Sequence, residues 1–184
     1  MKANRTAITV VVIIVLVIAG WWLFKRNGAA QSIDLIAQFD AATKRPGPDL
    51  FTLTDVNLKG ESKRAIAVQP TAGTRLTWKV TVPDDGWLWV SLGLKSEAWD
   101  KPGDGVKFHV GISDGRAYEP LFEQHVDPFN TPTDRRWIPI KIDLSAYAGE
   151  QVDLIFNTNS SMPGKGDNQD NDLALWGAPE IIVR

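Results

Sequence analysis

Cysteine is absent from all 184 residues, which removes disulfides, thiolate metal sites and cysteine nucleophiles. Histidine occurs twice, as His109 and His125, so few general bases are available. There is no basic run interleaved with aromatics, and therefore no electrostatic footprint of a nucleic-acid binder. Internal repeats and low-complexity tracts are missing as well. Beyond residue 26 no stretch of twelve residues carries helical periodicity.

What is present begins with an uncharged apolar run from Ala7 to Phe24. As a helix it is about 27 Å long, close to the ~30 Å hydrocarbon core of a bilayer. Trp21 and Trp22 stand where an aromatic belt meets the headgroups, and Lys25 and Arg26 can reach the phosphates. The alternative is a cleaved leader, with Lys2 and Arg5 as its basic start and Gly28-Ala29-Ala30 as its cleavage site. The length of the run and the position of Lys25-Arg26 favour an anchor. The expected organisation is a cytoplasmic start over 1–6, a transmembrane helix with flanking charges over 7–26, a linker over 27–32 and a domain over 33–184. A bacterial inner membrane, with the domain periplasmic or extracellular, is the expected location. So short a linker reaches at most about 20 Å, which keeps the domain beside the lipid bilayer.

All 22 acidic residues follow this run, whereas four of the 20 Lys and Arg flank it. The domain therefore carries 16 basic against 22 acidic side chains, a formal charge of −6. That sign offers no general attraction to nucleic acid.

The domain reads in period two. In Arg75 to Val82, Leu76, Trp78, Val80 and Val82 alternate with Arg75, Thr77, Lys79 and Thr81, one buried face and one wet face. Similar signals occur at Phe51 to Val56, Ala65 to Val68, Trp87 to Leu94, Val106 to Ser113, Arg136 to Leu144, Val152 to Thr158 and Pro179 to Val183. Turn residues such as Pro83-Asp84-Asp85-Gly86 and Asp114-Gly115 separate them. Asp34 to Thr43 reads as a short helix or a strand. The expected fold is all-β, an antiparallel β-sandwich of jelly-roll type behind a single transmembrane helix.

Four segments carry a resemblance: Asp134-Arg135-Arg136-Trp137, Ile142 to Gly149, Val152 to Thr158, and Asp172-Leu173-Ala174-Leu175-Trp176-Gly177-Ala178-Pro179. Together they resemble the closing strands of galactose-binding-like jelly rolls, carbohydrate-binding modules among them. The resemblance implies a non-catalytic binding sandwich and names no ligand.

Gly111-Ile112-Ser113-Asp114-Gly115 fits the pattern of a hydrolase nucleophile elbow, which requires a strand-to-helix turn. Here Asp114-Gly115 separates two strand-like runs, so a hairpin turn is expected. His109 alternates with Phe108 and Val110, which puts it on the wet face. The acidic loop from Gly166 to Asp172 offers Asp167, Asp170 and Asp172 as hard oxygen ligands for a structural Ca²⁺, with a solvated turn as the competing reading. Trp87 and Trp89 share the face opposite Leu88, Val90 and Leu92. Either a loop containing Trp99 covers them, or they form a sugar platform or a docking surface for a protein. No catalytic constellation emerges. The leading expectation is an accessory subunit held against an integral membrane protein partner; the alternative is a membrane-anchored carbohydrate-binding module with a glycan as ligand.

Overall fold

The computed structural model describes residues 32–69, 73–160 and 171–184. The expected membrane anchor, with Trp21, Trp22, Lys25 and Arg26, and the loop residues Asp167 and Asp170 lie outside them. Eleven strands form among the described residues: β1 (Ile33–Asp34), β2 (Thr43–Arg45), β3 (Phe51–Leu58), β4 (Glu61–Val68), β5 (Thr74–Thr81), β6 (Gly86–Leu94), β7 (Val106–Ser113), β8 (Tyr118–Val126), β9 (Ile138–Asp143), β10 (Gln151–Asn159) and β11 (Ala174–Val183). One sheet runs β3-β4-β11-β6-β9 with β1 paired to the far half of β11, and the other runs β2-β5-β10-β7-β8. All pairings are antiparallel. The domain is an all-β sandwich of two sheets.

Alternation decides which side chains meet between the sheets. Leu88, Val90, Leu92 and Leu94 of β6 are buried together with Leu76, Trp78 and Val80 of β5 and Phe108, Val110 and Ile112 of β7. Trp176 is the hub: its ring meets Phe108 edge-on at 4.9 Å and Phe156 at a tilt at 4.4 Å, while Trp78 meets Phe156 at 5.1 Å. Such contacts add roughly 0.5–1.5 kcal/mol each beyond area burial. Trp176 is thus a core residue, 1% exposed.

Trp137 does something different. It lies on the outer face of the first sheet, where Gly93 and Gly177 leave room for its ring, and its Nε1 donates to the carbonyl of Glu61 at 2.9 Å. Leu58, Ala65 and Leu175 complete this second small cluster.

Two segments differ from the sequence expectation. Tyr118–Val126 is a full strand although Pro120 interrupts its pattern, because a register shift between Val110 and Gly111 absorbs the irregularity. Asp34 to Thr43 is neither a regular helix nor one strand. It holds the two-residue β1, turns and a single 3₁₀ turn at Phe39–Ala41, and the Asp34 carboxylate accepts from the backbone of Ile36 and Ala37.

Candidate binding site

The outer face of the second sheet carries a groove. Register places five residues in one row across all its strands: Arg45 opposite Arg75, Arg75 opposite Asn157, Asn157 opposite His109, and His109 opposite Glu123. The next row holds Thr43, Thr77, Ile155 and Gly111, and the one beyond holds Lys79, Asp153, Ser113 and Tyr118. Two adjoining hollows of about 530 and 440 Å³ occupy this face and share Arg45, Arg75 and Tyr118. Ile155, only 6% exposed although it faces outward, is the apolar floor.

Tyr118 is the aromatic wall. Its ring rests on Gly111, where a β-carbon would overlap it, and it remains 46% exposed. An exposed aromatic ring beside amides, hydroxyls and charged forks is the lining expected of a site for a polar ligand with apolar faces.

Hydrogen bonds set the polar groups. Arg75 donates from Nε to Asn157 Oδ1 at 3.0 Å, and the fork end of its guanidinium makes no other hydrogen bond among the described residues. Lys79 is paired with Asp153 at 2.7 Å. Glu123 is shared by Lys107 at 2.7 Å and His109 at 3.3 Å. Burial pushes the His109 pKa below its usual 6.5, with Lys107 adding to the effect and Glu123 opposing it. The hydrogen bond from Lys107 holds Glu123 below the ordinary glutamate value, and His109 acts in the same direction.

The residues singled out from the sequence fall elsewhere or play other parts. Asp114-Gly115 is a hairpin turn between β7 and β8, with the Asp114 carboxylate accepting from Arg116 and Ala117. Ser113 Oγ accepts from Gly115, and His109, four residues away on the same strand, is about 13 Å distant. No nucleophile elbow forms there. His125 Nε2 hydrogen-bonds the carbonyl of Asp104 at 2.7 Å.

Trp87 and Trp89 are half-buried on the outer face of the other sheet, under Arg184 at 4.5 Å and Lys141 at 4.0 Å. Trp99 packs against the Trp137 cluster and donates to the Leu94 carbonyl at 3.0 Å. It does not cover the Trp87 and Trp89 rings through any ring contact among the described residues.

Asp172, 3% exposed, precedes β11. The neighbouring Asn171 ties its loop to the carbonyl of Pro102 at 3.1 Å. Among the described residues no three His, Asp or Glu side chains stand at metal-binding spacing.

No family model matches the sequence. An uncharacterised protein of Archaeoglobus fulgidus is 38% identical over 104 residues, which are 56% of this chain. The chain spans about a quarter of the length of that relative. Solved structures are more informative about the fold. The CBM51-2 and INT domains of ZmpB from Clostridium perfringens superpose with a TM-score of 0.55 at 14% identity, over 83% of this chain and 32% of that one. TmCBM61, solved with β-1,4-galactotriose, gives 0.54 at 10% identity, over 82% of this chain and 94% of that one. The xylan-binding CBM22-2 domain of Xyn10C from Paenibacillus barcinonensis gives 0.52 at 10% identity, over 85% and 100%. The fold is that of carbohydrate-binding modules.

The groove itself escaped sequence reasoning. Its one aromatic wall, Tyr118, precedes Glu119-Pro120 in a stretch without alternation, and Arg45 stands beside the turn Pro46-Gly47-Pro48. Arg75, Thr77 and Lys79 on the wet face of β5 were the available signal.

Proposed function

We propose that this chain is a membrane-anchored glycan-binding module whose ligand lies in the groove on the outer face of the β2-β5-β10-β7-β8 sheet. The observation that carries the reading is Tyr118, seated on Gly111 and exposed, with Ile155 as floor and the Arg75 and Asn157 side chains alongside. A pyranose ring has an apolar face for the aromatic ring and hydroxyl edges for the amide and guanidinium groups. The fold adds support, since one structural neighbour was solved with β-1,4-galactotriose and another is a xylan-binding domain. The anchor rests on the uncharged run from Ala7 to Phe24.

Full-length protein in mild detergent, applied to a glycan array and then titrated with the best ligand, tests the reading. Binding that drops at least about tenfold in Tyr118→Ala is the expected result. Absence of glycan binding, or binding indifferent to Tyr118, would overturn it. Co-purification of a stoichiometric membrane protein without glycan binding would restore the accessory-subunit reading.

A further inference from the structure

The most costly feature of the groove is a pair of like charges. Arg45 and Arg75 are direct cross-strand partners on one face, so their α-carbons stand about 4.5–5.5 Å apart. Like charges placed this way oppose strand pairing. Neither makes an ion pair among the described residues, and both are exposed. Among the described residues the face has two carboxylates, and both are committed: Asp153 to Lys79, and Glu123 to Lys107 and His109. Strand spacing puts each roughly 13–15 Å from Arg75, beyond a Debye length of ~8 Å at physiological salt. A local charge of +2 thus stands open at the groove of a domain whose formal charge is −6.

Building on the glycan reading, we infer that the groove selects an acidic polysaccharide, whose ring-borne carboxylate or sulfate groups occupy the forks of Arg45 and Arg75 while a sugar face rests on Tyr118. A guanidinium offers paired donors in a plane that matches a carboxylate or sulfate edge. Asn157 holds the Nε side of Arg75, so its free fork end is presented in one orientation. Only an anion neutralises both forks. A neutral galactan or xylan would leave the arginine pair repelling itself in the complex as in the free protein.

Full-length protein is titrated with four probes of matched length: a neutral galactan oligomer, a galacturonate oligomer, a sulfated galactan oligomer and oligo-thymidylate. Acidic glycans are expected to bind at least about tenfold more tightly than the neutral one at low ionic strength, with the gap closing toward ~0.5 M salt. In Arg45→Gln/Arg75→Gln the acidic oligomers should bind no better than the neutral one. The ligand-free double variant should melt no lower than the parent, because a repulsion has been removed. Preference for galacturonate assigns the carboxylate, and preference for the sulfated oligomer assigns the sulfate. Equal affinity for neutral and acidic glycans overturns the inference and leaves the glycan reading standing. Failure of every glycan overturns both, and oligo-thymidylate binding as tight as the acidic glycans overturns the choice of polysaccharide.

Discussion

Tyr118 and Gly111 meet across the β7–β8 pair, the ring of one resting on the backbone of the other where a side chain would stand. This relationship makes the groove aromatic, and it depends on glycine for close approach rather than for an unusual backbone angle. Gly111→Ala should displace the ring from the groove. Because Tyr118 is 46% exposed, the ring can swing into solvent, so the melting temperature should change little while glycan affinity falls about tenfold. Calorimetric titration beside a thermal melt separates the two effects. Unchanged affinity would show that the ring's placement does not matter to the ligand.

The other sheet uses the same device with the opposite consequence. A β-carbon on Gly177 would come within 2.7 Å of Trp137 Cζ3, and Trp137 is buried, with Nε1 bonded to Glu61. The ring has nowhere to go. Gly177→Ala should therefore cost about 1–3 kcal/mol of stability, read as a lower denaturant midpoint at constant slope. Glycan binding in the folded protein should be intact, since the opposite sheet carries the groove.

These two contacts also mark how far the sequence could be read. Arg75 to Val82 and Trp87 to Leu94 have clean alternation, and both became strands with the expected faces buried, since period two and side-chain burial are local properties. The small residues of Leu175-Trp176-Gly177-Ala178 fit the resembled motif, but that Gly177 makes room for Trp137 requires β11 and the segment before β9 to be placed together. The row Arg45, Arg75, Asn157, His109 and Glu123 is less legible still. It joins residues up to 112 positions apart by register alone, and a one-residue slip in any pairing would break it. Tryptophan, the most conspicuous aromatic in the sequence, drew attention to the sheet without the groove.

Trp87 and Trp89 offer a direct comparison of the two faces. Each is half-buried, each lies beneath a cation, and both belong to the outer face opposite the groove. Trp87→Ala or Trp89→Ala should lower stability by about 1–3 kcal/mol through lost burial. Affinity at the groove should stay within about twofold of the parent, because the sheets are separated by a full core. Should glycan binding vanish in either variant while the fold persists, the ligand site belongs on that face instead.

Protonation of His109 should act on stability and on ligand affinity in opposite directions. Its pKa in the folded protein lies below the ordinary 6.5, chiefly because of burial. The unfolded chain then takes up the proton first, so stability present above pH 6.5 is lost as pH falls through 6.5 toward the folded value. Glu123, depressed below 4.5 mainly by Lys107, adds stability that persists above 4.5 and fades as pH drops through its own lower folded value. Melting temperature should therefore decline from pH 7 to 5, and His109→Gln should flatten that part of the curve while leaving the steeper loss below 4.5. A charged His109 stands in the same row as Arg45 and Arg75, and ring carboxylates remain ionised throughout this interval. Affinity for an acidic glycan should rise over the same drop in pH, and the His109→Gln protein should show no such rise. A parent protein whose acidic-ligand affinity is flat from pH 7 to 5 would separate His109 from the ligand, and the row would then end, for binding purposes, at Asn157.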